Sequence, residues 1–312
     1  MSSLLATGLT VDVASRVYDK WYPSPNGVRS LYRGLPARAI SRAWGRVASA
    51  RVPERLRSPL YGLYGSMYGV NYDEMERPML RDYESLQDFF TRALRPGVRP
   101  VAATGLASPV DGRVMACGPV DRSSYLLPTV KDFRYRLSEF VGGDWARALA
   151  SLDSLYQIVL YLAPGDYHGF HAPADVVFAE RRHFCGLLLP VAPWMLRAVP
   201  SLFEANERVV LLGTYSDGSR AFPIVYAAVG ATNVGSVAMK FDPSLATNAK
   251  KDELGISHRH SYAPTPVRLK RGEEVGFFRM GSTIVMVFAA DPSFKFDVKP
   301  GDAVKLGQKL NV

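Results

Sequence analysis

Residues 277–288 read Phe277-Phe278-Arg279-Met280-Gly281-Ser282-Thr283-Ile284-Val285-Met286-Val287-Phe288. A small Gly-Ser-Thr element stands between two apolar runs. β-Branched and aromatic residues follow the hydroxyls at once, and such residues favour a pleated, buried surface. The pattern predicts a buried strand with a hydroxyl at its mouth. Gly-Ser also occurs at Gly65-Ser66, Gly218-Ser219 and Gly235-Ser236. The dipeptide alone therefore carries no function, and a glycine bulge with a space-filling serine is the plainer reading.

Working outward, short β-branched or aromatic segments recur from about residue 101, at 157–162, 176–178, 208–212, 222–228 and 235–240, each bounded by turn residues. Residues 194–203 are expected to form a helical insertion. Two turn phrases bracket the region. One is Ser108-Pro109-Val110-Asp111-Gly112-Arg113-Val114, and the other runs through 298–308 and resembles the hammerhead strands of biotinyl and lipoyl carrier domains.

Residues 1 to about 100 read as helical. Apolar residues recur at helical intervals over 9–22, and Pro36 suits a first helical position. Arg38, Arg42 and Arg46 share one face, with Ile40, Ala43, Trp44 and Val47 opposite. Such a helix lies in a membrane interface or packs on its own domain. Residues 53–69 continue with Leu56, Leu60, Leu63, Tyr64 and Met67 beside Arg55 and Arg57. Ser85-Leu86-Gln87-Asp88 resembles a capping box, and that helix is expected to end before Arg95-Pro96-Gly97. The expected fold class is α+β, with a helical, membrane-associating region at 1–100. A β-rich catalytic core with hammerhead or barrel-like strands is expected at 101–312.

The 312 residues are 47% hydrophobic and carry a formal charge of +9. That balance suits nucleic acid or an anionic membrane, and the absence of RNP, zinc-finger or helix-turn-helix signatures ranks the membrane first. Cys117 and Cys185 form no CxxC pair, which gives neither a zinc site nor a disulfide framework and favours a reducing compartment. No run of 18 apolar residues occurs, so no transmembrane helix is expected. Residues 1–10 lack a basic n-region and Asp12 interrupts the next apolar run, which argues against a secretory signal. The Lys251-Asp252-Glu253-Leu254 stretch is internal and cannot act as a retention tag.

Of five histidines, His168 and His171 stand together in Pro164-Gly165-Asp166-Tyr167-His168-Gly169-Phe170-His171-Ala172-Pro173. This reads as a structured loop at a strand end, where functional residues concentrate. The pair would bind a metal only with a third ligand from elsewhere, and none is expected. His258 and His260 read as solvated residues of a polar loop. Asp111 and Asp166 each have a plain turn-forming role. Together Asp111, His171 and Ser282 supply an acid, an imidazole and a hydroxyl, the parts of an activated serine. The Gly-x-Ser-x-Gly elbow of many serine hydrolases is absent around Ser282.

Several phrases are similar to those of the phosphatidylserine decarboxylases. Asp88-Phe89-Phe90-Thr91-Arg92 resembles their Asp-Phe-Phe-x-Arg. Ser108-Pro109-Val110-Asp111-Gly112 resembles their Pro-x-Asp-Gly element. Asp166-Tyr167-His168, with His171 and Pro173, resembles Asp-Tyr-His-x-x-His-x-Pro. Asn206-Glu207-Arg208-Val209 and the 229–236 stretch match two further phrases, and Gly281-Ser282-Thr283 matches the cleavage motif. The similarity runs from about residue 60 to the end. Met280 replaces a common Leu, a swap of similar volume. Gly169 stands where the family often has Arg, so a phosphate contact from that position has no counterpart here.

The resemblance implies a zymogen that cuts itself between Gly281 and Ser282 into a β chain of 1–281 and an α chain of 282–312. The two chains remain paired. Ser282 becomes a covalent pyruvoyl group, the only cofactor implied. That group forms a Schiff base with the amine of phosphatidylserine and draws off the electrons released with CO2, giving phosphatidylethanolamine. His171, oriented by Asp111, is then the candidate base for self-cleavage. His168 is the candidate for protonating the carbanion, and Asp166 and Tyr167 support the loop. The lack of a transit or signal pattern favours a peripheral location on the cytoplasmic face of a bacterial-type cell membrane. The basic amphipathic front suits an anionic membrane surface as partner, and the resemblance implies a homodimer. Two other readings are a serine hydrolase using Ser282, His171 and Asp111, and a non-enzymatic hammerhead-like membrane-binding or carrier module.

Overall fold

The structure is a computed structural model that describes residues 37–121, 126–128, 134–152, 154–191, 195, 202–232, 236–250, 254–279 and 281–312. Among the described residues three α-helices come first: α1 Ala37–Ser49, α2 Glu54–Tyr68 and α3 Leu86–Phe90. Then come β1 Gly112–Pro119, β2 Leu126–Pro128, β3 Arg134–Arg136, α4 Leu137–Val141, α5 Gly143–Ala150, β4 Leu155–Leu162, β5 Gly169–His171 and β6 Asp175–Phe184. The chain continues through α6 Leu202–Ala205, β7 Arg208–Ser216, β8 Ala221–Val229, β9 Val237–Met239, β10 Ser257–Ser261 and β11 Val267–Leu269. It closes with β12 Glu274–Phe278, β13 Ser282–Ala289 and β14 Ala303–Val304. The α+β class expected from the sequence is what the structure shows.

The large sheet runs β10-β6-β7-β8-β13-β4-β1-β14, with β11 also on β6. This path is open; among the described residues its ends do not pair, so the strands form no closed barrel. The two turn phrases meet in space, because β1 and β14 pair through Gly112–Val304 and Arg113–Ala303. A smaller sheet, β5-β12-β9, carries the histidine loop.

Strand β13 is central and buried on both faces. Val285, Val287 and Ala289 pack with Leu137, Phe140 and Phe203 on one side. Ile284, Met286 and Phe288 pack with Phe170, Tyr226 and Phe278 on the other. Alternation at period two thus feeds two apolar layers from one strand. Its neighbours β4 and β8 pair with it along nearly its whole length.

The helical segment has its own cluster of Tyr61, Val70, Met75, Tyr83 and Phe89, with the Tyr61 and Phe89 rings stacked 5.0 Å apart. The Ser85 hydroxyl accepts the Asp88 N–H at 3.1 Å, and the Asp88 carboxylate accepts the Glu84 N–H at 3.0 Å. This is the reciprocal cap the sequence suggests, displaced by one residue.

Two surface expectations change. Arg38 and Arg42 on α1 turn inward, both donating to the Asn248 side-chain oxygen, at 3.2 and 3.0 Å. Ile40 and Val47 of α1 face solvent instead. His258 and His260 lie on the exposed edge strand β10 rather than in a loop. The helix expected from Pro36 is α1. The helix expected at 9–22 and most of the 194–203 insertion lie outside the described residues; α6 covers the end of that insertion.

Phe288 is fully buried among Tyr156, Tyr215, Phe294 and Phe296. Phe288→Ala is expected to cost about 3–5 kcal/mol, read as a lowered urea midpoint of the full chain with unchanged slope.

Candidate active site

The site is built by two backbone ties. Ser282, the first residue of β13, pairs with Leu162, the last residue of β4. The loop from Leu162 leads to His168, whose carbonyl accepts the Phe278 N–H at 3.0 Å. Both ends of the 278–282 segment are thereby fastened to the same histidine loop. Gly281 has open space around it: apart from its own chain neighbours, no described atom lies within 4 Å of where a Cβ would stand.

His168 is fully buried and lies against the Phe90 ring, with centroids 3.9 Å apart. Its Nδ1 is 2.8 Å from the Asp166 carbonyl oxygen. A carbonyl only accepts, so Nδ1 carries the hydrogen and Nε2 holds a lone pair. Nε2 has no partner. Burial, helped by the nearby Arg92 charge, pushes the His168 pKa down from 6.5 to about 3, so the ring is neutral.

His171 is held differently. Its Nδ1–H donates to the Gly272 carbonyl at 2.8 Å, and its Nε2 accepts the Tyr167 hydroxyl at 3.0 Å. Tyr167 can fold back this way because residue 169 is glycine; a Cβ there would stand 2.1 Å from the Tyr167 hydroxyl oxygen. Burial lowers the His171 pKa and raises that of Tyr167.

Asp111 reaches the same corner, since the His171 N–H donates to the Pro109 carbonyl at 2.8 Å. Its carboxylate does not orient His171 by a hydrogen bond, as the sequence reading expects. Arg99 grips it through Nε at 2.9 Å and Nη2 at 2.6 Å, the Leu306 N–H donates at 2.8 Å, and Lys305 lies at 3.3 Å. Arg99 also reaches Glu74 at 2.6 Å. Burial pushes the Asp111 carboxyl up, but the Arg99 and Leu306 hydrogen bonds together with the Lys305 and Arg99 charges outweigh it and hold its pKa below the usual range. The Asp166 carboxylate accepts the Ala163 N–H at 2.7 Å, and burial raises its pKa. No hydrogen-bonded Ser-His-Asp chain of the hydrolase type therefore links Asp111 to His171.

Sequence reasoning missed Arg99, Lys305 and Gly272. Arg99 sits in a Pro/Gly stretch that reads as a boundary, and only the fold shows its partner. The Asn206-Glu207-Arg208 phrase has structural work. Asn206 bonds the Leu189 N–H and the carbonyls of Leu189 and Gly230. Glu207 pairs with buried His183 at 2.7 Å, and Arg208 donates to the carbonyls of Glu139, Phe140, Glu204 and Asn206. No cluster of three or more metal-ligating side chains occurs among the described residues.

The neutral His168 makes stability pH-dependent. Its folded pKa of about 3 lies below the ordinary 6.5, so the unfolded chain binds the extra proton between those values. Stability should therefore fall as pH drops below 6.5, by up to about 1.4 kcal/mol per pH unit from this group. Denaturation of wild type and His168→Gln from pH 7 to 5 should show a shallower dependence in the variant.

Comparison with known proteins gives one family. The phosphatidylserine decarboxylase family model matches residues 86–311. The mitochondrial phosphatidylserine decarboxylase proenzyme of Caenorhabditis elegans is 40% identical over 304 residues, covering 96% of this chain and 78% of that protein. The corresponding proenzyme of Pongo abelii is 38% identical, covering 90% and 73%. Proenzyme 1 of Saccharomyces cerevisiae is 34% identical over 369 residues, with the same two shares. With a family model spanning more than half its length and relatives of this identity over most of it, the chain belongs to the phosphatidylserine decarboxylase family.

Proposed function

We propose that this protein removes CO2 from the serine head group of phosphatidylserine, using a pyruvoyl group made from its own Ser282. The observation that carries the reading is the buried, unpartnered Nε2 of His168 in the loop fastened at both ends to the 278–282 segment. The names of the relatives, decarboxylase and proenzyme, support it.

The group is made first. Ser282 Oγ attacks the Gly281 carbonyl, moving the acyl bond from nitrogen to oxygen, and an imidazole takes the hydroxyl proton. β-Elimination releases Gly281 as a carboxylate. Tautomerisation and hydrolysis then expel ammonia and leave the pyruvoyl terminus. His171 is our candidate base, and it must release the Tyr167 hydroxyl to act. The open space at Gly281 suits a bond that must change geometry. The severed strand stays in place because its pairings with β4 and β8 do not depend on the 281–282 peptide.

When present, the pyruvoyl carbonyl supplies the electron sink for decarboxylation. His168 is our candidate for delivering a proton at Nε2 to the carbon that has lost CO2. An anionic head group beside the ring raises its proton affinity, so His168 is loaded when substrate is present. Asp111 and its Arg99 clamp, with Asp166 and Tyr167, hold this corner rather than transfer protons.

We also propose that the helical region within 1–100 docks on the bilayer as a peripheral element. Leu56, Leu60, Leu63 and Met67 share an exposed face of α2, opposite buried Arg57, Tyr61 and Gly65. The Tyr64 hydroxyl of this helix donates to the Pro164 carbonyl of the histidine loop at 2.9 Å. No helix among the described residues is long and apolar enough to cross a membrane.

Denaturing mass spectrometry tests the chemistry. Wild type should give fragments 1–281 and 282–312, the second lighter than its serine form by one ammonia, and Ser282→Ala one intact chain. An intact wild-type chain that releases no CO2 from phosphatidylserine vesicles but labels at Ser282 with a phosphonate would favour the hydrolase. Leu60→Glu with Leu63→Glu should weaken sedimentation with anionic vesicles several-fold and leave self-cleavage unchanged; unchanged sedimentation removes α2 as the docking face.

A further inference from the structure

Three consecutive carbonyls of the histidine loop are held from the helical side. Pro164 takes the Tyr64 hydroxyl at 2.9 Å, and Gly165 and Asp166 take Arg92 Nη2 at 2.6 and 3.0 Å. The loop is pressed close: a Cβ on Gly165 would stand 2.0 Å from the Tyr68 carbonyl oxygen at the end of α2. The Asp166 carbonyl also receives His168 Nδ1–H, so Arg92 and His168 converge on one oxygen. Arg92 is only 3% exposed, yet its Nε and Nη1 have no hydrogen-bond partner among the described residues. Buried guanidinium donors are costly to leave unbonded, and His168 Nε2 next door is unbonded too. A buried cation with open donors beside an open lone pair is the counterpart of a ligand that carries a negative oxygen and needs a proton moved.

We propose that Arg92 is a substrate-binding residue that couples head-group binding to His168: an oxyanion of the head group takes its open donors, and His168 then accepts a proton. The inference rests on the decarboxylase reading and deepens it. The shared carbonyl fixes the ring as its Nδ1–H form. The uncompensated guanidinium charge disfavours a second positive charge nearby, and an anion on Arg92 removes that opposition. The other charge acting on His168 is Asp111, just before β1, which Arg99 and Lys305 already engage, while Asp166 reaches the ring through its backbone carbonyl. Burial remains the larger cause of the neutral ring. The phosphodiester and the carboxylate are the two candidate oxyanions. Cation binding to the carboxylate would favour the ground state over loss of CO2, which points to the phosphodiester.

Calorimetry of the purified enzyme in buffers of different ionisation enthalpy counts protons taken up on binding. Glycerophosphoethanolamine and glycerophosphoserine are the probes. Wild type near pH 6 should take up as much as about one proton per bound probe. Uptake with both probes identifies the phosphodiester, uptake with glycerophosphoserine alone identifies the carboxylate, and uptake with neither overturns the coupling. Arg92→Gln should abolish uptake, and its His168 ring should titrate at higher pH by nitrogen NMR. A variant that binds more weakly but keeps the same uptake per bound probe, with an unmoved titration, would show a merely structural Arg92. If Arg92→Gln does not fold, Arg92→Lys carries the test. It keeps the charge but loses the two-carbonyl fork, so His168 should show mixed tautomers, and an unchanged single tautomer overturns the fork's role. A wild type that turns over phosphatidylserine while Arg92→Gln keeps its uptake refutes the coupling alone. A wild type without CO2 release refutes the function, whatever the titration shows.

Discussion

Phe278 donates its backbone N–H to His168, and four residues later Ser282 pairs with Leu162. These two ties fix where the proposed cleavage peptide lies relative to both loop histidines. Backbone groups buried in a core must be bonded, so the ties are maintained whatever the side chains do. The loop between them is then free to specialise its carbonyls. Asp166 sets the His168 tautomer and Gly272 sets that of His171. Each imidazole is thereby committed to a lone pair on Nε2, which Tyr167 occupies on His171 and which is open on His168.

Much of this is legible in the sequence. The unbroken apolar run after Thr283 points to a buried strand, and the Pro/Gly-punctuated loop around His168 and His171 announces itself by composition. Long-range pairing is what the sequence does not carry. Asp111 reads as the partner of His171, yet Arg99, in an unpromising turn, has the geometry to grip it. The three arginines of α1 read as one basic face, but two of them bond Asn248, some two hundred residues away. His183 gives no local sign of its buried partner Glu207. Periodicity reports which face is apolar; it does not report which cation finds which carbonyl.

The helical region is tied to the rest of the chain at several places, α1 to Asn248 and Arg99 to Asp111 among them, and two of its side chains reach the histidine loop. Tyr64 and Arg92 use polar atoms on otherwise apolar surroundings to hold Pro164, Gly165 and Asp166. The opposite face of α2 is apolar and exposed. One helix thus presents carbon to the outside and a hydroxyl to the loop, a short mechanical path between surface and site.

The order β13-β4-β1-β14 has a further consequence. Strands β13 and β14 both belong to residues 282–312, and they enclose β4 and β1 of the preceding chain between them. A chain severed before Ser282 would clasp two strands of its partner rather than lie along one edge. It could not peel away: release would require breaking the ladders of β13 with β4 and β8 and that of β14 with β1 together. Separation of the two pieces would then be governed by the barrier to opening the whole sheet, and their union would be kinetic as much as thermodynamic.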